Sequence, residues 1–122
     1  MTNILIVDDS PTVLTSMRQT ISRGGYTVED CRSGEDAMKK LKTGYRPDLI
    51  ITDLNMDGMD GIEFIQHARK NGGCRFTPIL VLTTESSQDQ RDRAKTAGAT
   101  GWLVKPVEPE KLFAVLDQVL PT

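Results

Sequence analysis

Cysteine is scarce in this 122-residue sequence, and the two present, Cys31 and Cys74, lie far apart with no C-x-x-C spacing. That excludes a disulfide framework and predicts free thiols in a reducing, cytoplasmic setting. Neither sign of charge dominates: 15 Lys and Arg against 17 Asp and Glu leave -2, with no basic tail or stripe, which disfavours direct nucleic-acid binding. Long apolar runs are missing too. No run approaches the roughly 20 residues of a membrane helix, and Met1-Thr2-Asn3 leads into Ile4-Leu5-Ile6-Val7 without the basic and apolar regions of a signal peptide. Also absent are G-x-x-x-x-G-K-[ST] and a G-x-G-x-x-G following a strand, so nucleotide binding is a poor reading. No linker, repeat or low-complexity tract interrupts the chain. The expectation is a single domain over residues 1–122 with no output domain, able to bury roughly two-thirds of the surface its unfolded form exposes.

What is present is an alternation. Short, largely β-branched runs occur at Ile4 to Val7, a mixed Tyr26 to Cys31, Leu49 to Ile51, Ile79 to Leu82 and Trp102 to Val104. Runs this short, bounded by polar or glycine residues, suit strands covered on both faces. Between them apolar residues recur at helical spacing: Val13, Met17 and Ile21; Ala37, Met38 and Leu41; Ile62, Ile65 and Ala68; and Leu112, Val115, Leu116, Val119 and Leu120. Ser10-Pro11, Ser33 with Asp36, Ser87 with Gln90, and Pro109 mark helix starts. Gly24-Gly25, Gly44, Gly72-Gly73 and Gly98 mark helix ends. The segment from Ser87 to Ala97 has the weakest apolar face, only Ala94 and Ala97, which predicts an exposed helix. Five strands alternating with five helices predict an α/β, doubly wound, five-stranded parallel sheet with right-handed crossovers.

Sheets of this kind bind ligands at the carboxyl ends of their strands. The residues following the runs are Asp8 and Asp9, Asp53, Thr83 and Thr84, and Lys105. Singly each has an ordinary explanation, such as a cap, a turn or a solvated lysine. Together, three acids, a hydroxyl and a lysine after four separate strands point to one site. If the first and third strands are neighbours, the three carboxylates raise one another's pKa unless a cation intervenes. Oxygen donors without His or Cys favour a hard ion, and few carboxylates with waters left over describe Mg²⁺. A carboxylate beside such an ion and a lysine can attack phosphorus to give an aspartyl phosphate. Five acids, Asp8, Asp9, Asp53, Asp57 and Asp60, are expected in two loops at this edge, an excess that the near-neutral sum conceals.

Two other readings weaken on inspection. Asp53 to Gly58 satisfies the opening D-x-[DN]-x-[DN]-G of a calcium loop, but its twelfth position is Phe64 and a strand-like segment precedes it. An aspartate-dependent phosphohydrolase needs an acid two places after the nucleophile, where Asn55 stands, and a substrate cap for which no insertion exists.

Ile6-Val7-Asp8-Asp9-Ser10, Leu49-Ile50-Ile51-Thr52-Asp53, Met59-Asp60-Gly61, Leu82-Thr83-Thr84-Glu85 and Gly98 to Pro106 together make the chain, from Ile4 to about Leu120, resemble the receiver domain of two-component response regulators. Gly101-Trp102-Leu103-Val104-Lys105-Pro106 resembles the single-domain chemotaxis receivers in particular. The resemblance implies a flavodoxin-like fold with sheet order 2-1-3-4-5, an order taken from those receivers and not from spacing. It implies Asp53 as phosphoacceptor, and Mg²⁺ held by Asp8, Asp9, Asp53 and the backbone carbonyl of Asn55. Lys105 would pair with the phosphoryl group and form a cis peptide with Pro106. Thr83 and Trp102 would be the switch residues, and Asn55 and Glu85 would tune hydrolysis toward a short-lived signal. The implied phosphodonor is a histidine kinase, and the implied output is changed protein binding, with a flagellar motor switch protein as first choice. The runner-up is a phosphoryl shuttle or sink toward a histidine phosphotransfer protein, and a pseudo-receiver scaffold is disfavoured by the intact residue set. A phosphatase partner, a monomeric state and no turnover beyond its own phosphorylation and dephosphorylation complete the expectations. Asp57, Thr84 and Val107 depart from the family pattern, where proline, a small residue and an aromatic are common.

Overall fold

The computed structural model describes residues 2–84 and 87–120. The elements run β1 (Asn3–Val7), α1 (Pro11–Arg23), β2 (Thr27–Cys31), α2 (Gly34–Lys42), β3 (Leu49–Asp53), α3 (Gly61–Asn71), β4 (Ile79–Thr83), α4 (Gln88–Ala97), β5 (Gly101–Val104) and α5 (Pro109–Val119). The strands form one parallel sheet in the order β2-β1-β3-β4-β5. This is the flavodoxin-like arrangement.

Successive strand residues face opposite sides of the sheet, and two cores result. Leu5, Val7, Ile50, Ile79 and Val81 pack with Ala37, Met38 and Leu41 of α2, Phe64, Ile65 and Ala68 of α3, and Ala94 of α4. Ile4, Ile6, Leu49, Ile51, Leu80, Leu82 and Leu103 pack with Leu14, Met17 and Ile21 of α1 and Leu112 and Leu116 of α5. Coverage of both faces explains why β3 and β4 are buried at every position and read as unbroken apolar runs. The edge strand β2 is buried only at Val28 and Cys31, which is why its run is mixed.

Side chains of Ser10, Ser33 and Ser87 accept hydrogen bonds from the backbone N–H groups of Val13, Asp36 and Gln90, capping α1, α2 and α4. In both Gly-Gly pairs it is the second glycine that takes the left-handed conformation, Gly25 at φ 89° and Gly73 at φ 76°. Ala94 is the buried residue of α4, which otherwise lies exposed as its polar face predicts.

Strand boundaries differ from the sequence reading by a residue or two, with β1 and β5 each beginning one residue earlier, at Asn3 and Gly101. Asp53 and Thr83 are the last residues of their strands, because ladder pairs Asp53↔Leu82 and Thr83↔Val104 carry the sheet one step beyond the apolar runs. β2 begins at Thr27, whose N–H bonds to Thr2 O, and Tyr26 instead packs against the α1/α5 core. Asp60 is a helix cap: its carboxylate accepts from Glu63 N–H at 2.9 Å, so it does not add to the acids at the site.

Candidate functional site

The parallel register β1·β3·β4·β5 brings the carboxyl ends of four strands together, and with them the reactive side chains. Asp8 follows Val7 and is fully buried, with its Oδ1 accepting from Ser10 N–H at 2.9 Å. Asp53 ends the neighbouring strand, 6% exposed, with Oδ1 accepting from Leu54 N–H at 2.8 Å. Thr83 ends the next strand and is 1% exposed. Lys105 follows β5, held by its backbone N–H on Thr83 O at 2.8 Å, and reaches back across the site.

Its ammonium Nζ lies 3.0 Å from Asp8 Oδ2 and 3.4 Å from Asp53 Oδ1. Asp8 Oδ2 accepts no hydrogen bond of regular geometry, so this buried oxygen meets Lys105 as an ion pair off the hydrogen-bond line. Asp9 is exposed at the rim. One carboxylate oxygen from each of Asp8, Asp9 and Asp53 lies within 4.8 Å of the others, the one such acidic group among the described residues.

Three carboxylates and one lysine leave negative charge in excess. Burial pushes the Asp53 carboxyl above the ordinary aspartate range, Asp8 adds to the rise, and Lys105 and the Leu54 N–H oppose it. For Lys105 burial is the largest influence and lowers its pKa, yet Asp8 and Asp53 together outweigh it and the net value is raised. A raised carboxyl means the folded chain holds its proton to higher pH than the unfolded chain. The Asp53 contribution to stability therefore falls as pH rises from the ordinary aspartate range through its raised value, whereas the Lys105 contribution is lost only as pH rises through the raised lysine value. In metal-free buffer, the urea-unfolding free energy of the parent minus that of Asp53→Asn is expected to decline across the acidic window. A flat difference would contradict these electrostatics.

A hard dication suits this donor set. Its members are all oxygen, one buried oxygen lacks a regular hydrogen bond, and all lie within 4.8 Å of one another, close enough to converge on one ion. Asn55 is exposed in the β3–α3 loop beside the cluster, and Asp57 is exposed further along it.

The remaining residues singled out from sequence fall around this centre. The Lys105–Pro106 peptide is cis. Thr84 and Val107 line, with Ser16, Leu82 and Lys105, a cavity of about 420 Å³ between α1 and the turn after β5. Trp102 is half-buried against the α2/α3/α4 core, and the Arg91 guanidinium of α4 sits 4.5 Å from its ring centroid, in cation–π contact. Glu85 lies outside the described residues. His67 is exposed on α3, Met56 is buried, and Cys31 and Cys74 are buried free thiols. Burial pushes the Cys31 thiol up to about 11, as befits a packing residue. The calcium-loop match fails in three dimensions as well, since Asp53 closes a strand and Leu54 is buried.

Two contacts had no local signal in the sequence. Arg91 over Trp102 depends on how α4 lies on β5, and Arg69 bonds through its guanidinium to the carbonyls of Cys74, Thr77 and Gly98, tying the end of α3 to the turn after α4.

The geometry has close relatives. Chemotaxis protein CheY1 of Helicobacter pylori is 34% identical over 120 residues, covering 98% of this chain and 97% of that protein. The solved structure of chemotaxis protein CheY4 of Vibrio cholerae superposes with a TM-score of 0.94 at 43% identity, covering 98% of this chain and 99% of that one. The receiver domain of sensor histidine kinase PA1611 from Pseudomonas aeruginosa, solved with a magnesium ion coordinated in its active site cleft, gives a TM-score of 0.86 at 28% identity, covering 97% and 96%. No helix among the described residues is long and apolar enough to cross a membrane. The family model of the response regulator receiver domain matches residues 4–117, and the chain belongs to that family, the receivers of two-component signalling.

Proposed function

We propose that the chain is a phosphorylation-operated switch in which Asp53 accepts a phosphoryl group from the phosphohistidine of a histidine kinase. The observation that carries this reading is the position of Asp53: a buried strand-end carboxylate, 3.4 Å from Lys105 Nζ and clustered with Asp8 and Asp9. Its Oδ1 is engaged by Leu54 N–H and Lys105, which favours Oδ2 as the attacking oxygen in this reading. The P–O bond to Asp53 forms as the P–N bond of the donor breaks, and the nitrogen keeps the electron pair.

Asp8, Asp9, Asp53 and the carbonyl of Asn55 would hold Mg²⁺. When bound, the ion neutralises charge on the transferring phosphoryl oxygens. Lys105 supplies a second positive charge beside Asp8 and Asp53. Its ammonium stays protonated at neutral pH because both flanking acids favour the charged form. Thr83, buried at the end of the adjacent strand, turns its hydroxyl toward a phosphoryl oxygen on Asp53 in this reading, which its position beside Asp53 supports. Trp102 follows on β5, where an inward movement trades its contact with Arg91 for deeper burial. By the family resemblance, Asn55 and Glu85 tune the hydrolysis of the acyl phosphate toward a short lifetime. Asp57 and Thr84 are exposed, and Val107 is half-buried, at positions from which they modulate access.

The two states differ in affinity for a separate protein, by population shift between conformations. Similarity to the chemotaxis proteins CheY1 and CheY4 favours a flagellar motor switch protein as that partner. A cavity of about 400 Å³ between α4 and β5, lined by Arg91, Lys95 and Trp102, and a second between β5 and α5, lined by Trp102, Val104 and Lys111, support the α4, β5 and α5 face as the surface that changes. We read the chain as a cytoplasmic monomer with a phosphatase acting on it.

Trp102, the single tryptophan, reports the switch. Titration with beryllofluoride, a phosphoryl analogue, is expected to change its emission only when Mg²⁺ is present. An unchanged spectrum, or the same change without Mg²⁺, would overturn the switch. Pull-downs with a motor switch protein and with a histidine phosphotransfer protein separate motility output from relay.

A further inference from the structure

The loop that follows Asp53 carries Asn55 and must hold its shape for the site to bind a cation. Its base is closed by the backbone alone, since Gly61 N–H donates to Leu54 O at 2.9 Å. Its tip is held from outside, by a different element. At the start of α2, the exposed Glu35 carboxylate Oε2 accepts a hydrogen bond from Met59 N–H at 3.2 Å, 24 residues away in sequence.

Two glycines make this contact possible. Gly58 adopts φ 75°, in the left-handed region, and a methyl group there would stand 2.5 Å from Glu35 Oε2. The carboxylate therefore lies over bare backbone. Gly34 opens α2 in the same way: a methyl group on it would meet Met59 Sδ at 3.0 Å and Met59 Cβ at 3.2 Å. Gly34-Glu35 and Gly58-Met59 thus interlock two elements that the sheet itself does not join, and the one side-chain hydrogen bond in that interlock is from Met59 N–H to Glu35.

We propose that Glu35 is a positioning residue for the acceptor loop. By fixing the Gly58-Met59 turn it holds the loop in the conformation in which the Asn55 backbone and Asp53 face one cation, although it touches neither. The role rests on the reading of Asp53, Asp8, Asp9 and Asn55 as the Mg²⁺ site. Occupancy of that site and the order of α2 against the loop become coupled, so that perturbing the first turn of α2 weakens cation binding at a distance.

The acceptor function and the charge of Glu35 can be separated. Glu35→Ala removes both, whereas Glu35→Gln keeps a carbonyl oxygen for Met59 N–H and removes only the charge. Mg²⁺ affinity is read by calorimetry on the whole chain, and the exchange rate of the Met59 amide by NMR. Glu35→Ala is expected to weaken Mg²⁺ binding by about fivefold, the scale of one lost hydrogen bond, and to speed Met59 exchange, with the melting temperature nearly unchanged. Glu35→Gln is expected to stay within about twofold of the parent in both. Mg²⁺ affinity and Met59 exchange in Glu35→Ala that equal the parent's overturn the proposal alone. So does a Glu35→Gln as impaired as Glu35→Ala, since that assigns the effect to charge. A parent chain that binds no Mg²⁺ overturns the reading of the site and this proposal with it.

Discussion

Asp53→Asn is expected to abolish the Mg²⁺-dependent response of Trp102 to beryllofluoride and, in metal-free buffer at neutral pH, to raise the stability of the protein. The two effects have one cause. Asparagine keeps the size of aspartate and an oxygen to accept from Leu54 N–H, so the local backbone is preserved. It lacks the anionic oxygen that, in the proposed function, binds a phosphoryl analogue and helps to hold the cation. What it removes from the metal-free protein is a net unfavourable charge, because burial and Asp8 together outweigh Lys105 and the Leu54 N–H at Asp53. Lys105 keeps its closer partner, Asp8 at 3.0 Å. Stabilisation is expected from relieving such a buried charge, measured as a higher urea midpoint at unchanged slope. A destabilised Asp53→Asn would mean that the pairing with Lys105 outweighs the crowding, and a surviving Mg²⁺-dependent emission change would place the acceptor elsewhere. The trade is physically reasonable: a site built to concentrate negative charge for a cation is strained without it.

Gly61→Ala is expected to destabilise the protein by about 1–3 kcal/mol, the range for a methyl forced into packed surroundings. The sign is what makes the test sharp. In an ordinary helical position, replacing glycine by alanine stabilises by about 1 kcal/mol, and Gly61 opens α3 without a positive φ. Its constraint is therefore steric. A methyl carbon on Gly61 would clash with the carbonyl oxygen of Asp53 and stand 2.8 Å from Leu54 Cα, both backbone atoms that no rotamer change can move away. The loop must lift off the end of β3, which breaks the Gly61 N–H to Leu54 O bond and turns the Asp53 side chain. Loss of Mg²⁺-dependent beryllofluoride response is expected alongside the lower urea midpoint. A Gly61→Ala protein as stable as the parent would show that α3 can slide outward without cost, and the close approach would then carry no functional weight.

The extent to which the sequence disclosed the fold follows from how locally each feature is encoded. Leu49 to Ile51 and Ile79 to Leu82 read as buried strands because central parallel strands are covered on both faces, and the structure places them there. Ser10, Ser33 and Ser87 read as caps because a cap and its N–H donor are three residues apart. Strand ends are less legible. Asp53 and Thr83 continue the ladder through backbone pairing that polar side chains do not advertise. Asp60 stands in the loop expected of it, but that its carboxylate caps α3 is known only once the N–H that it accepts from is seen.

By itself, the sequence determined the alternation of elements, the two-sided burial of the central strands and the kinds of side chain that end them, since all of these follow from side-chain polarity and from contacts a few residues apart. Only the tertiary structure decided that Lys105 stands nearer Asp8 than Asp53, that Arg91 covers Trp102, that Arg69 gathers carbonyls from two turns, and that Glu35 accepts from Met59 N–H in the loop after Asp53. Each of these joins residues from different elements, and its geometry is fixed by how helices settle on a twisted sheet, to within a fraction of an ångström. Periodicity sorts a residue to a face, but it carries no information on which side chain from another element will meet it there.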